Sequence, residues 1–555
     1  MENAMNRRWI TPTLLPLQPT DWFNLASILA VAVAIRILFF TGFFGSDEVT
    51  YIETAANIAA GDWRPSSYVG AARYGMNLPV ALFIYLFGLS YFSANLWPFL
   101  CSVGEVATVY FIARWLWDAR TAALCAILLA LLPLHVTFAG RLMADPPLAF
   151  FLTLSVGLLL RASRSSGGFL LFAAGLTWGA VFWVKESVAI LYAPVFLLLA
   201  LNLNPLGKRW FWLLAGMTVA VLANCALMYF VAGNPLHVFA IIKGGLGTYQ
   251  DWNTTTSPWY YFHYLSLDIR HTFLLGFFAV GGIILYGMGL TSGRPSAPGV
   301  QFVAIWMVLM VALFSFAVVS VSPVKLVMKQ ANYMLIFMGP MALLAGWFLA
   351  QLPRKLMLPL VALSVAGSVM LAAFEQQAVA VFTANSKAGY VYLREHPNSV
   401  LMATTNNLRA VNFFSMMENR RDLRDRVMSF GELSGAQSAS GAARLTAKAA
   451  GGTQVYALLD LQTIGWGLKP GGIRRLEDVP KCWTPISVLA PAPLGSGSWL
   501  VGGAVALGGL LPDSARTPYM KAMQPISTPL SAHLFQVPPT CLGDVARDLT
   551  RDVKR

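Results

Sequence analysis

The sequence predicts a polytopic α-helical membrane protein of about eleven transmembrane helices, followed by a soluble, extracytoplasmic α/β domain. Three observations predict it. Only 12% of the 555 residues are charged while 57% are hydrophobic, with a mean hydropathy of +0.61; a soluble domain carries about 25% charged residues. Apolar runs of roughly 20 residues recur through the first two-thirds of the chain, each long enough to cross a hydrocarbon core of about 30 Å. Beyond about residue 376 the composition becomes that of an ordinary soluble domain.

The elements follow in order. The N-terminus, MENAMNRRWI, has Arg7 and Arg8 and no small-residue cleavage site, so it reads as the cytoplasmic start of an uncleaved first span. Candidate spans cover residues 22–43, 97–117, 121–139, 147–161, 169–184, 187–203, 210–231, 272–290, 301–321, 331–350 and 356–373. The segment 78–90 is apolar but too short to cross. If it stays out of the count, Arg114, Arg120, Arg161, Arg164, Lys208, Arg209, Arg294, Arg354 and Lys355 share the side of Arg7 and Arg8. It therefore reads as an interfacial helix within a first outer loop of about 45–96. The other outer connections are a short one at Gly140–Pro146, the turn at Lys185–Glu186, a long one at 233–271 and a shorter one at 322–330. Residues 1–375 form the transmembrane domain and 376–555 the outer domain, in which SVLMATT, TQVYALLDL and TPISVLA read as buried strands and AGYVYLREH as helix. WLVGGAVALGGLL (499–511) is too short to span and belongs to the same domain.

The net charge of +14 fits topology signals on cytoplasmic loops better than nucleic-acid binding, since no basic run or aromatic-basic interleaving occurs. Cys101, Cys125 and Cys225 lie inside spans as packing residues, whereas Cys482 and Cys541 can pair in an oxidising compartment. No Walker A, GxSxG, HExxH or CxxC pattern is present, which leaves soluble nucleotide, hydrolase and zinc chemistry without support.

What remains is ionisable side chains at one membrane rim, where charge is costly unless paired or functional. Asp47 and Glu48 open the first outer loop, Asp145 sits at the mouth of the fourth span, and Lys185 and Glu186 interrupt two apolar runs. Arg36 lies about two turns inside the first span. Each also has a plain structural reading. Asp47 can cap the following helix, Asp145 can cap a helix with Pro146 at its first position, and Lys185 can snorkel. Arg36 can pair with a carboxylate, and His135 and His263, lacking metal-ligand spacing, read as structural.

SDEVTYIETAANIAAGDW, ARYGMNLPVALFIYLFG and ALLPLHVTFAGRLMADPPLAFFLTLSVGLLLRA, in this order and spacing, resemble the multi-span GT-C glycosyltransferases. Within them the resemblance is to the protein-mannosyltransferase and aminoarabinose (lipid A) transferase branch, family 39. It covers about residues 20–205 well and the later spans loosely, and does not extend to the C-terminal domain. The resemblance implies transfer of a sugar from a polyprenyl-phosphate donor to a lipid, polysaccharide or protein acceptor on the outer face, in a bacterial inner membrane with site and C-terminal domain periplasmic.

It implies Asp47 as general base, with Asp145 supporting the acceptor or, in some branches, a divalent metal (Mg or Mn), and Glu48 beside them. Arg73 stands near a lysine that precedes a proline pair in the aminoarabinose branch, and Lys185 at a commonly basic position. Lys243, in a loop that reads either as a lid or as an aromatic belt, Lys329, Tyr333 and Arg36 complete the expected phosphate-binding set. Asn332 stands where the family has an arginine, which leaves donor identity open. A lipid or solute transporter is the rival reading, disfavoured because no inverted repeat is visible and the acidic residues gather at one rim.

Overall fold

The computed structural model describes residues 17–203, 207–249, 257–291, 298–322, 324–430, 438–465, 473 and 475–541. The chain divides into two compact units. One comprises Met1–Phe40, Thr54–Gly88 and Phe92–Ala372; the other comprises Thr41–Glu53, Leu89–Tyr91 and Ala373–Arg555. The start of the first outer loop, with Asp47 and Glu48, thus belongs to the same unit as the C-terminal domain.

The helices run α1 (Pro19–Leu38), α2 (Glu48–Ala59), α3 (Tyr74–Phe87), α4 (Tyr91–Leu116), α5 (Ala119–Ala130), α6 (Pro133–Ala139), α7 (Asp145–Ala162), α8 (Phe169–Val184) and α9 (Glu186–Leu203). They continue as α10 (Trp210–Ala232), α11 (His237–Tyr249), α12 (Tyr260–Ser266), α13 (Ile269–Thr272), α14 (Leu275–Thr291), α15 (Pro298–Phe316), α16 (Leu335–Gln351) and α17 (Arg354–Glu395). Among the described residues, 8 helical stretches are long and apolar enough to cross a membrane, or 9 if α5 and α6, bent by 60° at their junction, make one span. The bend falls where Pro133 begins α6 and its missing N–H breaks the ladder. The expected spans 169–184 and 272–290 appear as the shorter apolar helices α8 and α14, and 78–90 as the short apolar helix α3.

One expected span is corrected. The run 301–321 is helical only to Phe316; Val318–Val321 (β1) pairs antiparallel with Val324–Leu326 (β2). The β-branched Val318, Val319 and Val321 favour a strand over further helix. The expected loop 233–271 holds α11, α12 and α13, with 250–256 outside the described residues.

The membrane unit gains close helix packing from small residues. A Cβ on Gly175 of α8 would meet the Leu213 carbonyl oxygen of α10 at 2.2 Å, and one on Gly216 would meet that of Phe172 at 2.2 Å. Only glycine on both sides lets these backbones touch, and dispersion then replaces the hydrophobic drive that lipid cannot supply.

The second unit contains a five-stranded sheet in the order β4 (Val427–Ser429), β3 (Ser399–Ala403), β5 (Gln454–Asp460), β7 (Ala532–Gln536), β6 (Thr484–Val488). β3 runs parallel to β4 and β5, whereas β7 is antiparallel to β5 and β6. Both faces are covered: Val400, Met402, Val455 and Ala457 enter one core, Leu401, Ala403, Tyr456 and Leu458 the other. That is why β3 and β5 read as continuous apolar runs. TPISVLA is corrected: β6 is a strand, but an exposed edge strand, which is where Pro485 can be tolerated. Helices α18 (Thr405–Met417), α19 (Ser438–Ala450), α20 (Ser498–Gly508) and α21 (Asp513–Ser527) complete the unit. AGYVYLREH belongs to the 42-residue helix α17. Cys482 and Cys541 form a disulfide, with Cα atoms 6.3 Å apart.

Candidate active site

In the membrane unit, three chain segments bring Asp145, Lys185, Asn332 and Tyr333 together. Asp145 is the first residue of α7; Ala144 holds the N-cap position, so Asp145 is not the cap. Its carboxylate is buried, accepting from Asn332 Nδ2 at 3.0 Å and facing Lys185 Nζ at 3.5 Å. Lys185 lies at the break between α8 and α9, only 5% exposed, with its ammonium 3.6 Å from the centroid of the Tyr333 ring. It does not snorkel. A carboxylate on one side and an aromatic face on the other fix this cation in a dry setting, where its field is strong. Asn332 and Tyr333 enter on a 3-10 turn, Ala331–Met334, that leads into α16.

The other expected phosphate ligands are placed separately. Lys329 is buried three residues before Asn332, and that burial pulls its ammonium below the usual lysine range. Arg73 precedes α3 and is half-buried, Lys243 is exposed on α11, and Glu186 is buried at the start of α9. Arg36 is fully buried, and its guanidinium donates to Ser102 Oγ, the Ala32 and Ala130 carbonyls (2.9 Å each) and His135 Nδ1 (2.6 Å). Because arginine only donates, Nδ1 of His135 accepts, and its Nε2–H donates to Glu105 Oε2 at 3.0 Å. Thr153 Oγ1 donates to the other Glu105 oxygen at 3.0 Å. Arg36 and Glu105 are thus a buried ion pair bridged by a neutral imidazole. Sequence reasoning missed Glu105, although a carboxylate within an apolar run of α4 is itself a signal.

In the second unit, Asp47 is half-buried at the N-cap position of α2, its carbonyl accepting from the Thr50 and Tyr51 N–H groups at 3.0 Å each. Glu48 is buried and folds back on its own loop, accepting from the backbone N–H of Phe44 (2.6 Å), Gly45 (2.5 Å) and Ser46 (2.9 Å). Three backbone donors occupy this carboxylate, so its work is to shape the loop that carries Asp47.

That loop is gripped by α18. Asn406 Nδ2 donates to the Phe44 carbonyl at 3.0 Å and Arg409 Nη1 to that of Gly45 at 2.6 Å. Gly45 has φ +93°, and a Cβ there would lie 2.1 Å from Asn406 Nδ2. Phe43 packs against Phe413 and Phe414, and Phe44 stacks on Phe382. Ser386 donates to Asn406 Oδ1 at 2.7 Å. Beside it, buried Asp460 accepts from Asn385 (2.7 Å), Asn407 (3.2 Å) and the Gln462 backbone (3.0 Å), and from the Thr463 hydroxyl. Burial pushes the Asp460 carboxyl above the usual carboxylate range, against the pull of these donors.

A divalent ion does not fit at Asp145, whose two oxygens face an ammonium and an amide N–H, both hydrogen donors. Among the described residues no three His, Cys, Asp or Glu side chains gather as a metal-holding group.

Residues 66–234 match the family described as dolichyl-phosphate-mannose-protein mannosyltransferase. The chain is 27% identical, over 346 residues, to the undecaprenyl phosphate-alpha-4-amino-4-deoxy-L-arabinose arabinosyl transferase of Pseudomonas paraeruginosa, covering 57% of each protein. The match thus spans little more than half the length of that relative. Among solved structures, ArnT from Cupriavidus metallidurans bound to undecaprenyl phosphate is similar with a TM-score of 0.55 at 18% identity, over 80% of this chain and 94% of that one. The apo oligosaccharyltransferase of Archaeoglobus fulgidus is similar with a TM-score of 0.50 at 12% identity, over 85% of this chain and 74% of that one. None of these likenesses favours the transporter reading.

Proposed function

We propose that this chain, whose fold is that of the GT-C membrane glycosyltransferases, moves a sugar from a polyprenyl-phosphate donor to an acceptor hydroxyl on the outer face of the membrane. The buried Asp145–Lys185–Asn332–Tyr333 cluster carries the reading. The leaving group of such a reaction is a lipid phosphate, and a desolvated, pre-positioned ammonium stabilises the charge that develops on it. Asp145 and Tyr333 hold Lys185 in place, and Asn332 holds Asp145. Lys329, next to this turn, is a second cation for the phosphate, and Arg73 and Lys243 are the peripheral ones. Arg36 is reassigned from phosphate binding to the bundle interior, where its donors are already engaged.

In the step itself the acceptor oxygen attacks the anomeric carbon and the bond to the phosphate oxygen breaks. Its electron pair leaves with the polyprenyl phosphate, and Asp47 takes the acceptor proton. A general base of this kind contributes about 10²–10⁴-fold. Attack opposite the leaving group inverts the anomeric centre. The similar arabinosyl transferase by its name handles an amino-deoxy pentose; Asn332, at the family's arginine position, suits a donor differing from that one, whether hexosyl or pentosyl. The acceptor is a lipid, polysaccharide or protein. The placement of Arg161 at the end of α7 opposite Asp145 supports a site facing the periplasm, with the basic ends cytoplasmic.

The test is turnover in lipid nanodiscs with a panel of polyprenyl-phosphate pentoses and hexoses and a mixed envelope extract as acceptor. One donor should release free polyprenyl phosphate, and Lys185→Met and Asp47→Asn should each slow that release about 100-fold. Native rates in both folded variants would sink the mechanism.

A further inference from the structure

The hairpin α20–α21 carries an apolar face that its own fold leaves open. Residues 498–512, SWLVGGAVALGGLLP, contain no charged side chain. Val501 and Gly508 are buried on one side of α20, where a Cβ on Gly508 would meet the Tyr519 ring of α21 at 2.3 Å, and the Tyr519 hydroxyl donates to the Ala504 carbonyl at 2.9 Å. Trp499 and Leu507, on the opposite side of α20, and Leu510, in the turn that follows it, are 65%, 66% and 81% exposed. A helix of 11 residues rises about 16 Å and cannot cross a bilayer.

What covers this face follows from where α20 begins. The Gly497 N–H donates to Gln376 Oε1 at 2.7 Å, and Gln376 Nε2 donates to Ser496 Oγ at 3.1 Å. A Cβ on Gly497 would lie 3.0 Å from the Ala373 carbonyl oxygen. Ala373 and Gln376 lie on α17 where its apolar run ends and Glu375, Gln376 and Gln377 begin. The hairpin is therefore tied to α17 at the end of that helix's apolar run, the point where a span of this length would leave the hydrocarbon. Side chains projecting there meet the headgroup–acyl boundary, the place of Trp anchors and of in-plane apolar helices. Arg516 and Lys521, exposed on α21, suit the phosphates of that layer.

We propose that the Trp499–Leu507–Leu510 face is a membrane-docking surface that lies in the leaflet on the side of the C-terminal domain. It stands independently of the transferase chemistry. The full-length protein, with Cys225→Ala, is spin-labelled through Leu507→Cys, Leu510→Cys or Thr517→Cys and placed in phosphatidylethanolamine–phosphatidylglycerol nanodiscs. Cys101 and Cys125 are buried and Cys482 and Cys541 are bonded, so the introduced thiol takes the label. The ratio of collisions with oxygen to collisions with a water-soluble nickel chelate should be several-fold higher at 507 and 510 than at 517 on the polar helix. Adding Leu507→Glu to the label at 510 should lower that ratio toward the value at 517. Equal ratios at all three sites would mean that water covers the face. Exclusion of both reagents would mean that a second copy or another protein does; either result overturns the proposal.

Discussion

Asn406 and Phe44, separated by 362 positions, are joined by a 3.0 Å hydrogen bond from the side-chain amide to the backbone carbonyl. The bond makes the C-terminal domain part of the apparatus that shapes the Asp47 loop. With Arg409 on the Gly45 carbonyl, it fixes two successive peptide groups just before the proposed base.

Asn406→Ala and Arg409→Ala should therefore lower kcat about 10–100-fold while leaving the KM for donor nearly unchanged, since a misplaced base costs rate without removing a phosphate contact. Gly45→Ala should be worse than either, because it combines a left-handed φ with the Asn406 clash. Steady-state kinetics on the folded variants would read this; a KM effect alone would place the clamp in binding.

Asp145→Ala strands the Lys185 ammonium in a dry pocket, and losing one partner of a buried pair costs about 3–5 kcal/mol. A marked drop in thermal unfolding temperature is expected. Asp145→Ala combined with Lys185→Met should recover most of that stability and none of the turnover. A double variant as unstable as the single one would show that the pair matters little to the fold.

Arg36→Met should act on stability rather than on donor binding. It leaves the Glu105 carboxylate without its cation, at a cost of about 3–5 kcal/mol, while the donor KM of the molecules that remain folded stays the same. A several-fold rise in KM would return Arg36 to the phosphate site.

Asp460 makes a pH-dependent contribution. Its folded pKa is raised by burial, so its stabilising contribution is full below the unfolded value of about 3.9 and is lost as pH rises through the folded value. The thermal stability of native protein relative to Asp460→Asn should fall as pH rises through that window. A pH-independent difference would count against a raised pKa.

The membrane helices and the Asp145 and Lys185 positions were legible because lipid enforces a simple code: long apolar runs, with any interruption by charge requiring a reason. The partners of those charges were less so. Asn332 was noticed only as the missing arginine of a resemblance, and its bond to Asp145 spans 187 positions. Nothing local in TNNLRAVNFF marks Asn406 and Arg409 as a grip on the first outer loop. The β1–β2 hairpin was hidden because an apolar run reads alike whether it is helix or strand, and only the β-branched valines hinted otherwise. Arg36 could be seen as a buried cation, but not that an imidazole would stand between it and Glu105.

The separations within the Lys185 cluster also set an order of assembly at the ribosome. Asp145 and Lys185 are 40 positions apart, whereas Asn332 follows Asp145 by 187. At about 5–20 residues per second the first pair meets within seconds, but Asn332, which completes the pocket, is made roughly 7–30 seconds after Lys185. Through that interval carboxylate and ammonium neutralise each other, a chaperone-like service each renders the other while the bundle is unfinished. A nascent chain arrested before residue 330 should already protect a cysteine introduced at the buried Val184, beside Lys185, from a water-soluble thiol reagent, and a chain that also carries Asp145→Ala should not. If the proposed transferase reading holds, competence to bind a donor is then one of the last properties the membrane unit acquires.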